Sequence, residues 1–261
     1  MAAPLLDLES ALRHSIPRLD IELPVAIQRQ PDYTTCGPTS LHAVYSYFGD
    51  PISLPEVIDG VPKLEGGGTL SVHLAVHALR RGYQADTWIC NVAHWDPTWF
   101  QRPTDLGAKL RASLVAKGLD QSPRYAAAVA AVEEYLALGG KLHWRDLTPR
   151  EIGRVLQRGV PLLAGTNGTY LYQCSRETAE GPDDVAGDAF GHFIVVCGYH
   201  SKDRSVSVAD PLMDNPLHGT KYYRASVYRL IGAIFLGSAS DDANLLVIRP
   251  RSWKPPANRG A

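Results

Sequence analysis

Apolar positions at Leu41, Val44, Tyr45 and Phe48 recur at i, i+3, i+4 and i+7, which predicts a helix running from about residue 39. Pro38 suits its first position, where no backbone N–H is needed. A short helix follows, with Ser53 as its cap and Glu56 three residues on. Val72, Val76 and Leu79 mark one face of a helix over 70–81, and 83–90 reads as a strand. Leu106, Leu110 and Leu114, then Tyr125, Val129, Val132 and Leu136, predict two more helices, the second stopped by Gly139-Gly140. Residues 141–144 read as a short strand. Thr148-Pro149-Arg150-Glu151 opens a helix with Ile152, Val155 and Leu156 inward and Gly159 at its end. The short apolar runs 160–165, 191–199 and 244–248 read as buried strands, and 206–210 as another, ending in Asp210. Residues 222–236 mix both periods, 5–14 have a weak helical period, and 21–27, broken by Pro24, form an extended lead-in.

Composition narrows the class. The 261 residues are 45% hydrophobic and 20% charged, enough to bury a sizeable core. That length fits one large domain or one domain with an insertion, and the tail over 250–261 is Pro-rich, basic and expected to be loose. A net charge of -1 carries no nucleic-acid or membrane-surface footprint. No run approaches the roughly 18 apolar residues of a membrane span. The first twenty residues lack a signal-peptide pattern, so a cytoplasmic setting is expected. The four cysteines, Cys36, Cys90, Cys174 and Cys197, form no Cys-x-x-Cys pair and no disulfide framework is expected. Cys90 and Cys197 sit in strand-like runs and read as inert, which leaves Cys174 as the one other candidate reactive thiol.

Candidate chemistry centres on Cys36, just ahead of a helix. The orphan N–H groups and positive dipole end there favour a thiolate and can donate to an oxyanion. His192 begins the run 191–199. Asp210 ends the next strand, across a polar turn over 200–204 short enough to pair the two antiparallel. That pairing sets Asp210 near His192, base beside orienter, as a Cys–His–Asp arrangement requires. The competing readings are a packed cysteine, a core histidine and an ordinary Asp-Pro turn. His73 and His77 lie four apart on a helix, but no Glu follows His73 and no third ligand is near, so packing or surface roles are expected and no metal or cofactor is implied. Gly66-Gly67-Gly68 lacks the Lys-Ser/Thr sequel of a phosphate loop and reads as a turn. The connection 167–190 carries Glu177, Glu180, Asp183, Asp184 and Asp188 and ends at His192. It is expected either to cover the cleft and favour cationic substrates or to be a solvated loop.

Gln30-x5-Cys36-Gly37-Pro38, then Gly191-His192-Phe193 with its apolar run, then Ala209-Asp210-Pro211, resemble the bacterial cysteine peptidases that cleave double-glycine leader peptides, in the papain-like group. Gly49, Ser53-Leu54-Pro55-Glu56-Val57, Gly68-Thr69-Leu70 and Gly82 extend the resemblance, which covers roughly 30–90 and 155–248. It implies an α+β papain-like fold in a single domain over 1–261, with an N-terminal nucleophile helix packed on a mostly antiparallel sheet, and it makes 91–146, which carries Trp95 and Trp99, a helical insertion where the chain departs from the family pattern. It assigns Cys36 as nucleophile, His192 as general base and acid, Asp210 as orienter and Gln30 as oxyanion donor. It implies thioester chemistry on a peptide or peptide-like amide. Many relatives are fused to a membrane transporter, and this chain contains no such span. Two other functions remain open in the sequence: an acyl or peptidyl transferase using the same thioester, and an inactive peptide-binding module.

Overall fold

The computed structural model describes residues 19–65, 67–217, 219–237 and 243–255. The weak helical period at 5–14 and the end of the tail lie outside these residues. The described helices are α1 (Cys36–Tyr47), α2 (Leu54–Gly60), α3 (Ser71–Arg80), α4 (Leu106–Ala116), α5 (Pro123–Ala137), α6 (Pro149–Gln157), α7 (Gly168–Tyr172) and α8 (Val227–Leu236). The main sheet is built from β1 (Asp20–Glu22), β2 (Tyr83–Ile89), β3 (Lys141–His143), β4 (Leu162–Asn167), β7 (Gly191–His200), β8 (Ser205–Ala209), β9 (Tyr222–Ser226) and β10 (Asn244–Pro250). A small hairpin joins β5 (Glu177–Thr178) to β6 (Gly181–Pro182). No described helix is long and apolar enough to cross a membrane.

The main sheet runs β3-β2-β10-β4-β7-β8-β9, with β1 added on β7. The β2–β3 pairing is parallel; every other one is antiparallel. The mixed α/β architecture and mostly antiparallel sheet are those expected from the sequence. Strand β7 explains why its sequence is an unbroken apolar run. Ile194 and Val196 enter a core with α6 and α8, while Phe193, Val195 and Cys197 enter a second core with α1 and α3. A strand covered on both faces has no solvent face on which to alternate.

α1 lies close against β7. A Cβ on Gly37 would meet Thr69 Cγ2 at 2.8 Å and Phe193 Cδ2 at 3.2 Å, so only glycine allows this approach. Ser40 Oγ donates to the Phe193 carbonyl at 3.1 Å and fixes the helix over the strand. α2 starts on the capping box read from the sequence, with Ser53 and Glu56 each accepting from the other's backbone N–H.

Three stretches differ from expectation. The connection 167–190 folds into α7, capped by the Asn167 side chain, and the β5–β6 hairpin. Its pattern concealed both because each element is too short to establish a period. The mixed region 222–236 is a strand followed directly by a helix, two periods in sequence rather than one blurred signal. The start of the tail is packed: Trp253 lies edge-on to Phe48 at 5.1 Å, and its indole N–H donates to the Arg158 carbonyl.

α4 and α5 form a third apolar cluster with Ile89, Trp95, Leu110, Val129 and Val132, and Trp95 packs against Trp99 and Phe100. Tyr135 ties α5 to the sheet. Its fully buried hydroxyl lies 2.8 Å from the carbonyls of Ala85 and Lys141 and accepts from Thr87 Oγ1. Tyr135→Phe removes the single O–H shared between these two carbonyls and the acceptor of Thr87 Oγ1, and is expected to cost about 1–3 kcal/mol in urea unfolding. A midpoint equal to wild type would remove this hydroxyl as an anchor.

Candidate active site

Cys36 is the first residue of α1 and is 8% exposed. Thr35 occupies the N-cap position but gives α1 no side-chain cap. Its hydroxyl instead donates to the Asp32 carbonyl at 3.0 Å and accepts from Asp32 N–H. The first-turn N–H groups of α1 are therefore left without the side-chain acceptor that a Thr at this position usually supplies.

His192 sits at the start of β7, paired across the sheet with Thr166 on β4. Asp210 immediately follows β8, which pairs antiparallel with β7 as the short turn requires. The register brings the two side chains together: His192 Nε2 lies 2.9 Å from Asp210 Oδ1, in a pair that solvent barely reaches. Nε2 is committed to Asp210, and Cys36 lies close enough to the imidazole to help raise its pKa.

Burial alone pushes the His192 pKa down. The charge of Asp210 and its hydrogen bond, helped by Cys36, outweigh burial and carry the value up to about 10. For Asp210 burial acts upward, and the opposing pull of His192, Tyr223 and Tyr172 holds the carboxyl below its ordinary value.

Gln30 is also buried. Its backbone N–H donates to the Pro211 carbonyl at 3.0 Å, which ties the loop before Cys36 to the residue after Asp210. Its Nε2 donates to the Asp32 carbonyl at 2.9 Å, and its Oε1 is buried without a protein partner. Gln30 and His192 line one groove with Arg29, Asp32, Tyr33 and Met213. Of the acids in 167–190, the groove wall takes Glu177. Asp183 instead accepts from the backbone N–H groups of Val185 and Ala186, a turn-building role.

The remaining candidates fall outside this cluster. Cys90 and Cys197 are buried, which raises their thiol pKa to about 11 and about 12. Burial and then Glu177 also push the half-buried Cys174 upward, so this thiol is less reactive at neutral pH than its polar sequence context suggested. His77 Nδ1 meets Tyr45 Oη at 2.8 Å and His73 is buried beside Thr69; burial lowers both pKa values. Sequence reading missed Tyr172 and Tyr223, whose hydroxyls both donate to Asp210 Oδ2.

No protein-family model matches the chain, and no curated protein matches it. Solved structures do. The chain is similar to a C39-like peptidase of Bacillus anthracis, with 13% identity, a TM-score of 0.48, and coverage of 89% of this chain and 98% of that one. A double glycine motif protease from an AMS/PCAT transporter, in complex with the leader peptide, matches at 12% identity and a TM-score of 0.43, over 90% and 99% of the two chains. Xylellain, a cysteine protease of Xylella fastidiosa, matches at 13% identity and a TM-score of 0.43, over 95% and 90%.

The His192–Asp210 pair also sets a pH dependence of folding. The lowered Asp210 pKa contributes stability above about pH 3.8 that is lost as pH falls through the native value. The raised His192 pKa contributes stability that is full below pH 6.5 and lost as pH rises through about 10. Urea midpoints should therefore decline in acid and again from pH 6.5 toward 10, and Asp210→Asn should flatten both slopes. A variant that keeps the wild-type pH dependence would show that the pair is not coupled to folding.

Proposed function

We propose that this protein is a cysteine peptidase or related amide hydrolase of papain-like type, cleaving a peptide-like substrate through a thioester. The observation that carries the reading is the buried His192–Asp210 pair, with Cys36 beside it at a helix N-terminus that has no side-chain cap. In this reading residues 91–146 are a helical insertion in a single catalytic domain.

The Cys36 thiolate adds to the substrate carbonyl carbon, and the carbonyl π electrons move onto oxygen. The backbone N–H of Cys36 donates to that oxyanion. So does the second N–H of the Gln30 amide, the first being engaged by the Asp32 carbonyl. His192 passes its proton to the leaving amine, the C–N bond breaks, and a Cys36 thioester remains. Water then attacks the thioester, giving one proton to His192. The second tetrahedral intermediate collapses with loss of the Cys36 thiolate, which restores the ion pair. Asp210 holds the imidazole in the tautomer and orientation both steps need. Asp32 and Glu177 on the groove wall favour a cationic group on the bound peptide, an effect that salt weakens.

Cys36→Ala is expected to abolish peptide hydrolysis without loss of fold, and iodoacetamide should label Cys36 before Cys174. Retained turnover in that variant would exclude this chemistry. Gln30→Ala should lower kcat by about 10²–10³ and leave KM nearly unchanged, because the contact strengthens mainly in the transition state. Steady-state kinetics on a peptide substrate give both values, and an unaltered kcat would take Gln30 out of the oxyanion hole.

A further inference from the structure

A carboxylate offers about four lone-pair directions, and burying it is costly unless they are used. Asp210 is 0% exposed and has a donor at all four. Oδ1 accepts from His192 Nε2 at 2.9 Å and from Leu212 N–H at 2.8 Å. Oδ2 accepts from the hydroxyls of Tyr172 and Tyr223, each at 2.7 Å. The tyrosines come from separate elements, α7 and β9, and converge on one oxygen. Both are buried. The Tyr172 ring also lies 5.8 Å from the His192 ring, so α7 braces the imidazole as well as its partner.

Resting on the catalytic reading above, we propose that Tyr172 and Tyr223 are positioning residues that tune His192. Their hydroxyls clamp Asp210 Oδ2, fix the carboxylate plane toward the imidazole, and draw off enough of its charge for His192 to release its proton to the leaving amine.

The need for such a clamp follows from the site's own electrostatics. An unshared buried carboxylate against an imidazole holds the shared proton tightly. His192 must first hold that charge and then act as an acid, and each added donor on Oδ2 weakens the grip of Oδ1. Burial raises the pKa of both phenols, so they stay protonated donors across the working range. The groups that face the pair are Cys36 from α1, Tyr172 from α7, Tyr223 from β9 and the Leu212 N–H. Arg29, Asp32, Glu177 and Asp214 stand farther out along the groove. Arg29 and Asp214 are paired with each other at 3.0 Å, and both are well exposed to screening solvent.

The test separates the clamp from the cysteine chemistry by using two readouts. In a Cys36→Ala background, histidine-labelled protein is titrated by NMR from pH 6 to 11, with His192 assigned from its loss in His192→Gln. A hydrogen bond to a charged group is worth about 1.5–3 kcal/mol, so Tyr172→Phe or Tyr223→Phe should raise the His192 midpoint by about one pH unit. With Cys36 present, turnover of a peptide amide is compared with that of an ester carrying a good leaving group. Only the amide needs the proton of His192, so each variant should lower the amide-to-ester rate ratio about three- to tenfold. Near-UV circular dichroism and melting temperature check that the fold is kept. An unmoved midpoint with an unchanged ratio overturns the clamp. If neither substrate turns over in the wild type, the catalytic reading fails, and the titration alone still decides whether the tyrosines set His192.

Discussion

The buried Asp210 carboxylate is the constraint on which the arrangement depends. A charge at 0% exposure is tolerated only if every direction of its lone pairs is met. Meeting them draws in β7 through His192, α7 through Tyr172, β9 through Tyr223 and the following turn through Leu212. The loop that carries Gln30 is hooked to the same point through Pro211. Removing one donor leaves a buried charge incompletely met, so this corner of the fold is determined cooperatively.

The sheet supplies the rigidity that such a corner needs. β7 is packed on both faces, and α1 is held to it by the contact at Gly37 and the Ser40 bond to Phe193. Cys36 therefore approaches His192 from a helix whose position is fixed by backbone proximity rather than by flexible side chains. The groove opens on the side where 29–33, 190–192 and 212–216 meet. α4 and α5 belong to a separate apolar cluster behind β2 and do not line this groove.

Long elements were legible because their periods are long enough to repeat. The helices at 36–47, 71–80, 123–137 and 149–157 and the strands at 83–89, 191–200 and 244–250 lie within a few residues of their predicted bounds. Cys36, His192 and Asp210 stood out as polar or reactive residues at the edges of predicted elements, Gln30 was marked only by the family resemblance, and the antiparallel β7–β8 pairing was readable from the turn length. Tyr172 and Tyr223 were not legible. They stand 38 and 13 residues from Asp210, and a tyrosine in a mixed apolar stretch looks the same whether its hydroxyl meets a carboxylate or solvent. The β5–β6 hairpin was hidden for a different reason: two residues per strand carry no period at all.

The central claim is that Cys36 forms a covalent acyl intermediate. Its most direct test is acid quenching during turnover of an activated peptide ester, followed by peptide mapping by mass spectrometry. The account predicts an acyl adduct on the peptide containing Cys36, with none on Cys90, Cys174 or Cys197, and its disappearance in Cys36→Ala. Turnover with no adduct on Cys36, or an adduct on another residue that persists in the variant, would contradict it.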